Sequence, residues 1–435
     1  MSATLPWFSR NAAALGAVAL SVGVLAGCGA SSSSPGVATA PGSGTTTKAP
    51  ITIGVSLSLT GASSAGGIAF DQGYRLWARD VNAGGGIMGR QVSLVILNDD
   101  SMPGQAVTNY NTLIGTDHVD LTFGPSSPAQ TAPAAAVAAR AGYAFIEGAG
   151  GAPSVFDAKT SAADGNVFDV SLPVADELAP FVTYIASLGS RARGMTAAFP
   201  MAADDPLADP PVRLAETKLR ALGVRPVYDQ AFTAGPSSAA RAAAIVAREH
   251  PDIVVLGSAG VPTVAAFMKE FRLKRYRPKL FIAVAGPDQG SAFTSAVGAG
   301  NAAGMLVPGG WYPGYVNAAS EKMVAEYVQG YGGRPADVNP GVAEAFSVGQ
   351  IAGQAMVATG GTNNAAIIKF LHSGLTLQTV QGGALFSAQG ENNGAAAFVF
   401  QWNKTGTDLQ QVLPANDGAS VKLISPKPAW AGSAR

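Results

Sequence analysis

The sequence predicts an α/β protein built from two units, each with a parallel sheet. From Ile51 onward, short apolar runs alternate with segments of helical periodicity, a pattern typical of βαβ units. The pattern restarts after Pro173, so the chain carries two units of similar plan. The 54 glycines and 28 prolines among 435 residues also indicate many turns between short elements.

In the first unit, strands and helices alternate regularly. Apolar runs predict strands at 51–59, 92–97, 119–123 and 143–146. Helices are predicted at 70–81, 105–114 and 129–141. The first of these helices has its apolar residues at helical spacing, namely Phe70, Tyr74, Trp77, Ala78 and Val81.

The second unit follows the same plan. Strands are predicted at 195–199, 227–232, 253–256 and 280–284, and helices at 178–185, 212–222, 239–249 and 263–272. Three further helices, at 321–331, 342–358 and 365–371, precede three short strands at 384–387, 397–402 and 409–412. We expect these last elements to complete the two sheets.

The N-terminal segment has the pattern of an export signal followed by a lipid anchor. Arg10 precedes an apolar stretch at 12–24 within residues 1–27. Leu25-Ala26-Gly27 then leads into Cys28, the one cysteine of the chain, which matches the bacterial lipobox. Residues 28–49 are rich in Ser, Gly, Thr and Pro, which predicts a flexible tether. We expect an extracytoplasmic protein anchored to the cell membrane by lipidated Cys28; a plain signal peptide or an uncleaved anchor is the alternative.

Composition and motifs exclude several classes of function. The 28 basic and 28 acidic residues give a formal net charge of +0, which leaves no basic surplus for nucleic acid. Only residues 12–27 approach the length of a transmembrane helix, so a multi-spanning protein is excluded. The glycine motif at 84–89 fits the dinucleotide pattern but follows a helix and precedes a strand, which predicts a turn. No catalytic or metal-ligand spacing is present, so we expect no cofactor, no metal and no enzymatic activity.

Several segments together resemble the type I periplasmic solute-binding proteins, especially the leucine/isoleucine/valine-binding branch that feeds ABC importers. The segments are IGVSLSLTG at 53–61, VNAGGGIMGR at 81–90, NDD at 98–100, GPSS at 124–127, AGMLV at 303–307 and FQW at 400–402. The resemblance implies two Rossmann-like lobes joined by three hinge crossovers, which close on a ligand in the cleft between them. It divides the chain into an N-terminal lobe (50–172 plus 308–382), a C-terminal lobe (173–307 plus 383–425) and a tail (426–435).

Ligands of open parallel sheets bind beyond the carboxyl ends of the strands, which gives a list of candidate residues. The candidates are Ser64, Ser126, Ser127, Glu147, Gly148, Ala149, Gly150, Gly151, Ala259 and Asp288. The hydroxyls of Ser126 and Ser127 suit an anionic or carbonyl oxygen, or they cap a helix. The glycines admit a ligand close to the backbone or form a flexible turn.

The resemblance also assigns roles to some of these positions. Asp288 lies where amino-acid binders carry an acid that pairs with the ligand's ammonium group; the alternative is an acid that caps a loop. Glu147 stands where amino-acid binders usually have a Ser, and Gly151 where they usually have a Thr. A Tyr that these binders carry in the second lobe is replaced near Ala259. A Glu147 that faces the cleft would favour a cationic or hydrogen-bond-donating group.

The sequence therefore predicts a solute-binding lipoprotein that captures a small polar ligand, an amino acid or a related amide or acid. Its partners would be that ligand, an ABC permease and, through the lipid anchor, the membrane, but no nucleic acid. A ligand-sensing receptor subunit is the alternative, and an enzyme or a surface adhesin on the same scaffold is less favoured.

Overall fold

The computed structural model describes residues 48–149, 153–156, 165–203, 208–233, 235–258, 260–315, 317–415 and 420–432. The signal segment, Cys28 and most of the tether lie outside these residues, as do Gly150, Gly151 and Ala259. Within the described ranges, no helix is both long and apolar enough to cross a membrane.

The first sheet is entirely parallel. Its strands are β1 (Ile51–Leu57), β2 (Val92–Asn98), β3 (Leu121–Phe123), β4 (Phe145–Glu147) and β5 (Val167–Asp169). The intervening helices are α1 (Ser64–Ala83), α2 (Pro103–Gly115), α3 (Pro128–Arg140) and α4 (Pro153–Phe156). The strand order is β2-β1-β3-β4-β5. Both faces are covered, because one apolar core includes Ile51, Ile53 and Val55 and another includes Tyr110 and Phe145.

The second sheet has seven strands and is mostly parallel. The remaining strands are β6 (Thr196–Ala198), β7 (Met201–Ala202), β8 (Arg225–Tyr228), β9 (Ala231–Phe232), β10 (Ile253–Leu256), β11 (Leu280–Ala283), β12 (Met305–Gly309), β13 (Leu377–Thr379), β14 (Gly382–Ala384), β15 (Phe398–Trp402) and β16 (Leu409–Leu413). The order in the second sheet is β16-β15-β12-β11-β10-β6-β8. Strands β15 and β16 are antiparallel to their neighbours, and the others are parallel.

The helices of the second half fall into two groups. They are α5 (Ala179–Ser187), α6 (Asp209–Ala221), α7 (Pro236–Glu249), α8 (Val261–Leu273), α9 (Gly290–Val297), α10 (Ala299–Ala302), α11 (Ala318–Tyr331), α12 (Pro340–Thr359) and α13 (Asn364–Leu371). Helices α5 to α10 contribute to the cores around the second sheet, through residues such as Phe181, Val246 and Phe293. Helices α11 to α13 contribute instead to the core of the first sheet, through residues such as Met323, Val342 and Ile367.

The short elements differ from the predictions in three ways. The segment expected as one strand at 227–232 is divided, since β8 pairs with β6 and β9 pairs with β7. The strand expected at 384–387 was wrongly assigned to a main sheet: β14 pairs only with β13 in a separate hairpin. Strands β5 and β12 were not predicted, because β5 has three residues, too few to show a period, and β12 contains Pro308.

The described chain passes between the two sheets three times, and one of these passages lies at consecutive buried aromatic residues. Within the described residues it crosses after β5, after β12 and between β14 and β15. At the second passage, Trp311 packs in the core of the first sheet and Tyr312 in a core of the second. Their exposed fractions are 3% and 2%. The two α/β bodies, one around each sheet, are therefore connected here by a short segment whose aromatic side chains are buried in both cores.

Helix α12 packs closely on α1. A Cβ added at Gly349 of α12 would overlap the ring of Trp77, and one added at Gly73 of α1 would overlap the carbonyl oxygen of Val342. The backbones of the two helices approach each other through these glycines, which fixes the position of α12 above the first sheet.

The C-terminal residues 420–432 pack on the second body. Lys427 is fully buried, and its Nζ donates hydrogen bonds to the carbonyl oxygens of Asn301 (2.8 Å) and Ala303 (2.7 Å). The indole N–H of Trp430 donates to the carbonyl of Tyr276 at 2.7 Å. Tyr276 precedes β11 and Ala303 precedes β12, so this segment covers the amino ends of those strands.

Candidate functional site

Two carboxyl groups lie side by side at the carboxyl edge of the first sheet. Glu147 is the last residue of β4, and in the parallel pairing it is in register with Asp169, the last residue of β5. Partners in register face the same side of a sheet, and both residues are fully buried. Oε2 of Glu147 accepts a hydrogen bond from the N–H of Ala149 at 2.6 Å. Its Oε1 is buried without a hydrogen-bond partner among the described residues.

A third carboxyl group reaches this edge from α12. A Cβ added at Gly148 would lie 3.3 Å from both Cβ and the carbonyl oxygen of Glu344, so the helix lies directly against the residue that follows Glu147. Glu344 is half-buried. It makes no hydrogen bond or ion pair with any other residue that the structure describes.

The proximity of these acids raises their pKa values. Burial raises the pKa of Glu147 well above its usual value, and the charges of Asp169 and Glu344 act in the same direction, against the hydrogen bond from Ala149. Burial, with Asp169 and Asp288, raises the pKa of Glu344 to about 8. Desolvation and like charges both disfavour the ionised form. The described ion pairs include neither Glu147, Glu344 nor Asp288, so described basic residues do not neutralise these three groups.

The serines predicted for the site follow β1 and β3, at the same carboxyl edge of the first sheet as Glu147. Ser127 precedes α3, but its hydroxyl contacts the side-chain oxygen of Gln130 instead of capping a backbone N–H. The hydroxyl of Ser126 is buried without a hydrogen-bond partner in the described ranges. Ser64 begins α1, and a Cβ added at Gly66 in the same turn would lie 3.8 Å from the carbonyl oxygen of Ser126. The starts of α1 and α3 are thus adjacent.

Asp288 comes to the site from the second body. It is half-buried in the loop between β11 and α9. Its Oδ1 accepts from the N–H of Gly286 at 2.6 Å and its Oδ2 accepts from Nε2 of Gln289 at 3.0 Å. Burial raises its pKa, and these hydrogen bonds oppose that effect. Gln289 in turn accepts from Nδ2 of Asn339, the N-cap of α12, at 3.0 Å.

The structure therefore gathers Glu147, Gly148, Glu344 and the Asp288 loop around the first turns of α12. Ala149, half-buried, contributes its N–H to Glu147. The positions of Gly150, Gly151 and Ala259 relative to this cluster remain predictions, because these residues lie outside the described ranges.

Sequence reasoning missed Asp169 and Glu344. Glu344 is the one charged residue in the 20 residues of α12, and this isolated charge on an apolar helix was the available signal. Asp169 stands between the buried residues Phe168 and Val170, in a strand that was not predicted. Neither residue belongs to a motif of the resemblance.

A concave region lies elsewhere and contains none of the predicted site residues. It is a groove of about 610 Å³ between α7, α8 and α9, lined by residues such as Ala240, Ala266, Met268 and Val297. It includes no strand end, whereas the carboxyl edge of the first sheet holds buried oxygens of Glu147 and Ser126 that have no hydrogen-bond partner among the described residues. Within the described chain, no group of three or more His, Cys, Asp or Glu residues could hold a metal ion. We therefore take the strand-end cluster as the candidate site.

Comparisons with known proteins agree with this architecture. A family model described as periplasmic binding protein matches residues 50–407. A curated protein of Pseudomonas aeruginosa, named amino acid binding protein, is 36% identical over 98 residues. That match covers 22% of this chain and 26% of the relative, so it spans about a quarter of that protein's length.

Solved structures share the fold over nearly their whole length. The substrate-binding protein LivJ of a branched-chain amino acid transporter from Streptococcus pneumoniae, in complex with isoleucine, has a TM-score of 0.69 at 19% identity and covers 83% of this chain and 99% of its own. A putative branched-chain amino acid ABC transporter from Silicibacter pomeroyi has a TM-score of 0.73 at 18% identity, covering 87% and 99%. An ABC transporter solute-binding protein from R. palustris in complex with benzoate has a TM-score of 0.66 at 19% identity, covering 87% and 97%. At such identities the likeness establishes the fold, two α/β lobes, and leaves the ligand open.

Proposed function

Since this chain belongs to the family of periplasmic binding proteins, we propose that it is the extracytoplasmic solute-binding component of an ABC importer. It would capture a small polar ligand, such as an amino acid or a related compound, between its two lobes. We propose further that it acts by binding and release alone, without catalysis, and that a membrane permease receives the ligand.

One observation supports this proposal above the others. The hydrogen bond between Asn339 and Gln289 joins the N-terminus of α12 to the loop that carries Asp288. The carboxyl edge of the first sheet and a loop of the second therefore meet where Glu147 and Glu344 lie. Ligands of parallel sheets bind at such edges, and a rotation about the connecting passages would open and close this region. We assign the lobes as 50–172 plus 308–382 and 173–307 plus 383–425.

A thermal-shift screen of the purified protein tests the binding function. A ligand that binds only the folded state stabilises it by mass action, by about 2.7 kcal/mol at a hundredfold excess over Kd. The panel would contain amino acids, amines, amides, ureas and aromatic acids. We expect at least one class to raise the melting temperature in a concentration-dependent way. If no member of the panel does so, the proposal fails.

The membrane connection is a separate part of the proposal and has a separate test. We propose that Cys28 is lipidated after removal of residues 1–27, supported by the lipobox and by the absence of any other cysteine. Cells fed a labelled fatty acid should incorporate label into the wild-type protein but not into Cys28→Ala. Equal labelling of the two proteins would reject the anchor and leave the binding function untouched.

A further inference from the structure

Three carboxyl groups of the candidate site have no basic partner among the described residues. Glu147 is fully buried, with Oε1 unbonded. Among the described residues, Glu344 has neither a hydrogen bond nor an ion pair, and the side-chain hydrogen bonds to Asp288 come from neutral groups. A buried acceptor without a partner reduces stability and is rare in folded proteins. These groups are therefore arranged to meet donors that this part of the chain does not supply.

The chemistry of the missing partner follows from the charge at the site. An anionic group placed beside Glu147 would meet the like charges of Asp169 and Glu344. A metal ion does not fit either, since the described residues contain no set of three or more ligands for one. An ammonium or guanidinium group supplies both a positive charge and several N–H donors, and its hydrogen bonds to carboxylates are the strong, charge-assisted kind.

On the premise of the solute-binding function proposed above, we infer that the solute is an organic cation of net positive charge, whose ammonium or guanidinium group is not balanced by a neighbouring carboxylate and is received by Glu147 and Glu344. Glu147 offers Oε1 from the edge of β4, and Glu344 approaches from α12 over Gly148. Asp288 adds negative charge from the second lobe, close enough to act on Glu344. Lobe closure would then bring charge from both sides onto the same cation.

Binding of a cation at this site is coupled to proton release. Among the described residues, Asp169 from β5 and Asp288 from the second lobe act on these glutamates, and the glutamates in turn act on Tyr74 of α1 and Tyr110 of α2. Because the pKa of Glu344 is about 8 and that of Glu147 is also raised, part of the site is protonated near neutral pH. A cation favours the ionised form, so its affinity should rise as the pH increases from about 6 to 8.5 while an amine ligand (pKa about 10) stays charged.

Isothermal titration calorimetry with four probes tests the inference. Agmatine carries two cationic groups and no carboxylate, arginine carries a guanidinium on an amino acid, leucine is a neutral zwitterion, and benzoate is an anion. We expect agmatine and arginine to bind at least about tenfold more tightly than leucine, with benzoate weakest. The affinity for agmatine should increase between pH 6 and 8.5, and protons should be released on binding.

Isosteric variants connect the preference to the named residues. Glu147→Gln and Glu344→Gln keep the side-chain shape and remove the charge. Each variant should therefore lower the affinity for agmatine at least about tenfold and change the affinity for leucine by less than about twofold. Glu321→Gln, at an exposed acid in the first turn of α11, is the matched control and should leave the affinities for agmatine and leucine unchanged. Melting curves would confirm folding, and either glutamate variant is sufficient if the other does not fold.

The outcomes separate this inference from the function on which it rests. Leucine or benzoate binding as tightly as agmatine would overturn the cationic class but support solute binding. Agmatine binding that is unchanged in both glutamine variants would overturn the roles of Glu147 and Glu344. If none of the four probes binds, the inference fails, and the broader thermal-shift panel then decides whether the binding function fails with it.

Discussion

Glu344 is a single acid on an otherwise uncharged helix, and its raised pKa links the stability of the ligand-free protein to pH. Its pKa in the fold is about 8, whereas the unfolded chain ionises near about 4.3. The folded state therefore holds the proton more tightly. The fold loses stability as the pH rises between these two values, and the full loss is present above about pH 8.

Replacing Glu344 by glutamine should remove this loss. We expect Glu344→Gln to melt about 1–3 °C above the wild type at pH 9 and at the same temperature as the wild type near pH 4, measured by calorimetry without ligand. Glu321→Gln, at an exposed position, should match the wild type at both values. A difference for Glu344→Gln that is equal at pH 4 and pH 9 would contradict the assignment, because a packing effect would not depend on protonation.

At the level of elements, the contact between α1 and α12 determines how closely Glu344 approaches the strand edge. Gly349 of α12 lies against the ring of Trp77, with no room for a methyl group. Gly353, one turn later, has room: an added Cβ would lie 3.7 Å from Cδ1 of Ile87 and 3.8 Å from Cζ2 of Trp77. The two glycines thus share a helix face but differ in available space.

Alanine at these two positions should have opposite effects. Gly349→Ala should lower the free energy of unfolding by about 1–3 kcal/mol through overpacking. Gly353→Ala should raise it by up to about 1 kcal/mol, since alanine is favoured over glycine within a helix. Urea denaturation of both variants provides the comparison. Two equal losses would mean that α1 and α12 do not pack through Gly349.

The C-terminal segment stabilises the second lobe at the edge opposite the candidate site. Trp430 is buried over Tyr276 at the amino ends of the strands. Trp430→Ala should therefore cost about 3–5 kcal/mol of stability and leave the ligand Kd unchanged, whereas Trp430→Phe should cost less. A large change in Kd at a temperature where Trp430→Ala is fully folded would show that this segment is coupled to the cleft.

For the whole molecule, the hydrogen bond between Gln289 and Asn339 holds the two lobes together at the candidate site. Gln289→Ala removes it, together with the hydrogen bond from Nε2 of Gln289 to Asp288 at 3.0 Å, without disturbing the cap of α12, in which Asn339 accepts from the N–H of Gly341 at 2.9 Å. We expect a larger radius of gyration by small-angle X-ray scattering in the absence of ligand. We also expect a Kd that is larger by about two- to tenfold, because the closed arrangement of the lobes is then favoured by less free energy.

A matched variant within one lobe controls for the loss of a glutamine. Gln354 donates to the carbonyl of Gln378 at 2.9 Å, and both residues belong to the first body. Gln354→Ala should leave the radius of gyration and the Kd at their wild-type values. If Gln289→Ala behaves in the same way, the contact does not contribute to closure.

The sequence predicts the fold because periodicity survives in long elements. The helices that became α1, α7 and α12 were located to within a few residues, apart from the first six residues of α1, since each has an apolar face or core at helical spacing. Strands of two to four residues carry little of this pattern, which explains the missed β5 and the divided β8 and β9.

The candidate site was predictable only in part, for a different reason. Glu147 and Asp288 follow strands that could be recognised, so the rule of strand ends found them. Glu344 belongs to a helix more than 190 positions away from Glu147 along the chain, and only the return of α12 to the first lobe brings them together. A contact between residues far apart along the chain leaves no pattern in the sequence around either residue.

The adjacent residues Trp311 and Tyr312 have a consequence for the energetics of ligand capture. Because consecutive residues are fixed in different cores, the two binding surfaces remain at a high effective concentration of one another. A solute held by one surface meets the other in an intramolecular step, which does not require a second loss of translational freedom. On the solute-binding function proposed above, a few charged contacts on each surface would then be sufficient for tight capture.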